Sequence, residues 1–370
     1  MNYFPAPDPI PLPAPVWLFK ILHNLTLALH LGAMQLLAGG LLTGLCLAIA
    51  GRANGNRNAT QAAGMLIHRL PTVMAFVINL GVPPLLFAQV LYGRALYTSS
   101  VLIGAYWIAV IFLLMASYYG LYFAAKRADS GKPWIATGLA AFLLIGTIGF
   151  IYTNNMTLML RPQVWAGMYQ HSPGGLQLNV KDPTAHTRWG FFVLGALASS
   201  GCAMMLLALR RHFESDIRIL LFRAGAFSAF LGVLLQAGFA MPIIKAQPAA
   251  VMTALMADPI YALSAYAWLA LVTLLLIAAT FAFLTGKPGA ILAVPAALLG
   301  FLQLAAAVMV RDGIRDVTLR LAGFEVWDRQ VVTNWSVVGL FLVLFVAALA
   351  VIGYLIRVVA SARRIEEKYA

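Results

Sequence analysis

The chain has 370 residues, of which 62% are hydrophobic and only 10% are charged, and its mean hydropathy is +0.87. Soluble domains usually carry about 25% charged residues because their surfaces face water. The composition therefore excludes a soluble enzyme, a nucleic-acid-binding domain and a disordered protein, and it predicts an integral membrane protein. The net charge of +13 is typical of the Lys- and Arg-rich cytoplasmic loops of such proteins, so no nucleic-acid partner is expected.

The chain begins with a proline-rich stretch, residues 1–20, which predicts an extended external arm on the membrane surface. A membrane-spanning helix needs about 20 largely apolar residues. Nine stretches of 20 or more residues contain no charged side chain, and these are 21–51, 70–93, 95–125, 133–160, 189–209, 224–244, 259–286, 288–310 and 330–356. They predict an all-α fold, a polytopic membrane helix bundle of about nine transmembrane helices in a single domain over residues 1–370. Residues 161–188 and 311–329 are then long loops.

Nine spans place the two termini on opposite sides of the membrane. With the N-terminus outside, the inner segments carry 15 of the 25 Lys and Arg residues. Most of the outer ones lie in the two long loops, which count least in the positive-inside rule. The predicted topology therefore has an external N-terminus and a cytoplasmic C-terminus, in a bacterial inner membrane.

Ionisable groups inside a membrane are the usual functional candidates. The predicted spans contain no carboxylate and no clear buried lysine, which leaves histidine. His23 and His30 are seven residues apart on the first span, so they face the same way about 10.5 Å apart and cannot ligate one iron from opposite sides. Two interpretations stay open: each histidine serves a different haem, or His23 lies at the membrane interface. A structural role is the alternative for His30.

His186 stands at the outer start of the fifth span, at a depth similar to that of His30. Two histidines at similar depth on different helices are what a b-type haem site needs. His30 and His186 are therefore the candidate cofactor-binding residues and the candidate ligands of haem iron. The sequence identifies no catalytic residue.

Several segments carry a family resemblance. They are ALHLGAMQLLAGG around His30, INLGVPPLLFAQVLYG (78–93), YTNNMTLMLRP (152–162) followed by AHTRWGFFVLGALA (185–198), FRAGAFSAFLGVLLQAGF (222–239) and AQPAAVMTALM (246–256). These runs resemble subunit I of the cytochrome bd quinol oxidases and the shorter bd-like membrane cytochromes. The resemblance covers most of a six-helix part, residues 22–257, and leaves three further spans in 258–370. It implies that His30 holds a high-spin haem and that His186 holds a low-spin haem.

The departures from this family concern proton chemistry. The Lys and Glu of its quinol loop are replaced by Ala250 and the apolar run near Leu255, and the third-helix glutamates are absent. The methionine ligand of its seventh helix has no counterpart in YALSAYAWLAL. The chain is therefore not expected to reduce oxygen on its own, and any quinone is expected to bind elsewhere.

The sequence thus predicts a membrane subunit of a respiratory electron-transfer complex. It would hold one or two b haems near the outer face and pass electrons between the quinone pool and a c-type cytochrome on that face. The alternative is a cofactor-free scaffold that anchors other subunits of a respiratory complex. A transporter fits less well, because the helix break predicted at Pro83–Pro84 has no match in a second half of the chain.

Overall fold

The computed structural model of the protein describes residues 4–5 and 10–369, with side chains as far as residue 358. Within these residues the chain is almost entirely helical, and its only strand-like pairing is an isolated bridge. Nine of the described helical segments are long and apolar enough to cross a membrane. The predicted all-α, multi-pass membrane bundle is thereby confirmed.

The spans follow one another along the chain, and the fifth consists of two helices joined by a bend. They are α1 (Val16–Ala53), α2 (Arg57–Leu102), α3 (Gly104–Asp129), α4 (Ile135–Leu158), α6 (Ala185–Val193) with α7 (Ala196–Leu207), α8 (Ser215–Lys245), α10 (Pro259–Thr285), α11 (Ala290–Leu321) and α12 (Trp335–Tyr369). Two short helices, α5 (Trp165–His171) and α9 (Ala249–Ala257), lie between spans.

Successive spans alternate in direction, so the start of α1 lies at the same end of the bundle as the end of α11. We call this end the N-terminal end. The described part of the proline-rich arm packs against protein here, because the Leu12 backbone N–H donates to the carbonyl of Gln330 over 2.8 Å. The ring of Phe4 lies 5.5 Å from that of Trp165 and 5.3 Å from that of Phe324.

The helix α7 lies in the interior and contacts α1, α8 and α11. Its backbone touches that of α8 at glycines. A Cβ atom on Gly232 would lie 2.1 Å from the backbone nitrogen of Ala198, and one on Gly201 would lie 2.3 Å from that of Ala229. Small residues allow such close approach in membrane bundles, where packing replaces the hydrophobic effect between helices.

Three predicted features of the chain differ from the structure. Residues 16–20, predicted as the end of the extended arm, already belong to α1, which begins at Val16. The segment 311–329 is not all loop, because α11 continues to Leu321 and buries charged side chains in its last turns. The irregular backbone of α2 lies at Tyr92 (φ −124°, ψ 18°), two turns beyond the Pro83–Pro84 pair at which the break was predicted. The rule that a span ends at its first charged residue therefore predicts the end of α11 too early, because the charged residues of its last turns are paired inside the bundle.

The last span, α12, is mostly exposed along its described side chains. It meets the bundle near its first turns, where the ring of Phe341 lies 6.1 Å from that of Phe87 in α2. Its sides are apolar all round, which suits lipid or another membrane-embedded chain.

The contact between α7 and α8 gives a test with a control on the same helix. Gly232→Ala should lower stability by about 1–3 kcal/mol, because its methyl group forces two backbones apart. Gly238 in the same helix has nothing within 4 Å of its Cβ position, so Gly238→Ala should not lower stability. Thermal unfolding in detergent measures both, and an equal response of the two variants would contradict this account of the packing.

Candidate functional site

The predicted ligand His30 lies in α1, where its ring faces α2. Its Nδ1 donates a hydrogen bond to the backbone carbonyl of Val77 over 3.1 Å. That bond fixes the tautomer and leaves the lone pair on Nε2, which has no hydrogen-bond partner among the described residues. Gly81 provides the space for the ring, because a Cβ atom there would lie 2.9 Å from the His30 Cε1.

The other predicted ligand, His186, is exposed in the first turn of α6 at the N-terminal end. Its ring packs 5.1 Å from that of Phe150, and it forms no hydrogen bond within the described part of the chain. The surroundings of the two histidines therefore differ, because His186 is exposed at the start of α6 whereas His30 is partly buried against α2.

His23 is buried, and both of its ring nitrogens are engaged. Nδ1 donates to the carbonyl of Pro84 over 3.0 Å, and Nε2 accepts from Arg315 over 3.1 Å. Because no lone pair is left, His23 does not fit a ligand role. Of the two interpretations of His23, the structure disagrees with the haem ligand, and the position at the membrane interface stays a prediction.

His23 belongs to a buried charge network, which ties α1 to α11 through opposite charges. Lys20 donates to Asp316 over 2.6 Å and also pairs with Asp312. Arg315 pairs with Asp312 in turn. All four side chains are at most 7% exposed, and their formal charges cancel. Isolated charges could not remain buried at this depth, whereas a neutral and fully paired set can.

Two tyrosines complete the network from further helices. Tyr92 in α2 donates to Asp316 over 2.7 Å and accepts from Lys20 over 2.8 Å, while Tyr261 in α10 donates to Asp316 over 2.8 Å. The guanidinium of Arg315 lies 3.9 Å above the ring of Tyr92. We define the charge network as Lys20, His23, Asn24, Tyr92, Tyr261, Asp312, Arg315 and Asp316.

The network corrects the prediction that the spans hold no buried carboxylate and no buried lysine. Sequence offered a signal, because Asp312, Arg315 and Asp316 are spaced i, i+3 and i+4 and so share one helix face directly after an apolar run. The expectation that the chain does not reduce oxygen loses this part of its basis and stays a prediction. Both carboxylates are occupied by cations and hydroxyl groups.

A second arginine of α11 lies beside the network. Arg311 is partly buried, is within electrostatic reach of Arg188 and Arg315, and donates no hydrogen bond to any described residue. Arg188 stands one half-turn beyond His186 in α6 and donates through Nε to Thr184 over 2.9 Å. Two neighbouring guanidinium groups with spare donors can bind a carboxylate or a phosphate.

The described side chains contain no group of three or more His, Cys, Asp or Glu residues placed to hold a metal ion. A bare ion is thus poorly served, whereas haem iron needs only one or two axial ligands from the protein. The chain matches no protein-family model, and comparison with curated proteins gives no match.

Removing one charge from the network tests its role in stability. Asp312→Asn leaves Lys20 and Arg315 in excess and should lower the free energy of unfolding by roughly 3–5 kcal/mol. Asp328→Asn, at an exposed carboxylate beyond α11, is the matched control and should not lower it.

The double variant Lys20→Met with Asp312→Asn restores neutrality, so it should recover part of the loss. Unfolding of the two single variants, Lys20→Met and Asp312→Asn, and of the double variant in one detergent gives the coupling energy between Lys20 and Asp312. Purely additive effects of the two substitutions would show that the charges do not act as one set.

Proposed function

We propose that the chain is a membrane subunit of a respiratory electron-transfer complex that resembles bd-type cytochromes and binds b-type haem through His30. The single observation that supports this most is the state of the His30 ring. Its Nδ1–H is held by the carbonyl of Val77, and its Nε2 lone pair is free in the membrane interior. An axial histidine of a haem protein has this arrangement, because the hydrogen bond orients the ring and raises its basicity.

The residues around His30 fit the group in a second respect. Gly81 keeps the neighbouring face of α2 free of a side chain, so the imidazole can lie against the helix. Two turns nearer the N-terminal end, His23 is held by Pro84 and Arg315. The charge network therefore fixes α1 against α2 and α11, and it limits movement of His30.

His186 is the proposed ligand of a second haem near the outer face. Its exposed ring supports this. Arg188 and Arg311 lie at the same end of the bundle, and arginine binds carboxylates such as the two that haem carries. Haem iron changes between two oxidation states and so supplies one-electron transfer. We place the quinone pool and an external c-type cytochrome at the two ends of this transfer, in a bacterial inner membrane.

A cofactor-free scaffold is the second candidate, and the exposure of α12 favours it. Along its described length this span offers an apolar surface that another membrane subunit could cover. The presence or absence of haem in the purified chain distinguishes the two functions.

A reduced-minus-oxidised visible spectrum with a pyridine haemochrome count tests the proposal on the purified full chain. One or two b haems per chain are expected. A folded chain without any b-type band would contradict electron transfer and favour the scaffold.

Histidine variants assign the ligands. His30→Ala should remove one b-type band, and added imidazole should restore it if the fold is intact. His186→Ala should remove or shift the other band, while His68→Ala should change neither, since His68 is exposed and pairs with Asp129 over 3.1 Å. An unchanged spectrum in His30→Ala would eliminate His30 as a ligand.

A further inference from the structure

Four helices, α7, α8, α10 and α11, surround a common centre. α7 and α10 each pack against both α8 and α11, whereas α8 and α11 hardly touch each other. Gln236 of α8 and Gln303 of α11 are both 0% exposed. They thus enter the bundle interior from two helices that stand diagonally across this centre.

Neighbouring layers place the two glutamines at one depth. Phe191, Ala240 and Ala307 pack in a single apolar cluster. Gln236 and Gln303 lie four residues before Ala240 and Ala307, and α8 and α11 run in the same direction. Both glutamines are therefore one helical turn further from the N-terminal end than this cluster.

The fifth span accommodates the side chain of Gln236 at a glycine. Gly195 lies four residues after Phe191, at the bend between α6 and α7, and its Cβ position would be 2.3 Å from Cγ of Gln236. On the far side, Val233 and Val272 belong to the large apolar cluster around α8. The two amides thus form a polar layer between two apolar ones.

The polar atoms of this layer lack protein partners. Neither Oε1 nor Nε2 of Gln236 or of Gln303 has a hydrogen-bond partner among the described residues, and the same holds for Nε1 of Trp268 in α10. The ring of Trp268 lies 6.1 Å from that of Phe191, which places it in the adjoining layer. Lipid cannot satisfy such groups, and buried amides almost always have a partner.

We propose that Gln236, Gln303 and Trp268 form an internal hydration site that holds ordered water in the middle of the bundle. The unpartnered atoms include two carbonyl oxygens and three N–H-bearing nitrogens, with no charged side chain in the layer. A cation would satisfy only the oxygens, and an anion only the nitrogens. Water both donates and accepts, and a buried water typically has two to four polar partners.

A second buried polar pair lies between α1 and α7. Ser199 donates to Oε1 of Gln35 over 2.5 Å, which leaves Nε2 of Gln35 without a partner. Gln35 is one turn along α1 from Gly32, whose Cβ position is 3.8 Å from the side chain of Leu304, next to Gln303. This inference does not depend on haem.

Hydroxyl-radical footprinting of the full chain in lipid nanodiscs tests the site, because radicals formed from a bound water label the side chains beside it. Phe191, 7% exposed, is the reporter. Phe87, 8% exposed among aromatic rings, and Phe222, 0% exposed in an apolar cluster, are the dry controls. Phe191 is expected to be labelled several-fold faster than either control, with incorporation of ¹⁸O after brief mixing with H₂¹⁸O.

The variant Gln236→Leu with Gln303→Leu should reduce labelling of Phe191 to the level of the controls. Circular dichroism and gel filtration establish that this variant is folded, and the wild-type comparison holds even if it is not. Wild-type labelling of Phe191 at the rate of Phe87 and Phe222 would overturn the proposal. So would unchanged labelling in a folded variant.

Discussion

Charge can be buried in a membrane bundle only as a balanced set, and this constraint organises the N-terminal end of the protein. Asp312 and Asp316 need cations, and Lys20 from the first span and Arg315 from α11 itself supply them. The hydroxyl groups of Tyr92 and Tyr261 donate further hydrogen bonds to the carboxylate of Asp316. The four helices that carry these residues, α1, α2, α10 and α11, must therefore meet at one depth with these side chains turned toward one another.

The interior further from that end follows a different rule. There the helices approach through glycines, as α7 does against α8, and the buried polar side chains are uncharged amides and hydroxyl groups. His30 lies between the two regions, close to the charge network along α1 but outside it. Its ring is held by a backbone carbonyl of α2, so its orientation does not depend on the charges of the network.

The number of spans could be predicted from the sequence, because apolar stretches of sufficient length are a local property of the chain. The charge network could not be, since Lys20 and Asp316 are 296 residues apart and only the fold brings them together. Considered alone, each of these charged residues predicts the end of a membrane span. The free Nε2 of His30 is equally non-local, because Val77 and Gly81 of another helix determine it.

The separation of Lys20 from its partners also bears on biosynthesis. α1 reaches the membrane well before α11, because six spans lie between them in the chain. During that interval the ammonium group of Lys20 has no carboxylate to neutralise it, so the nascent bundle resembles a defective one. Completion of the network then marks an assembled chain.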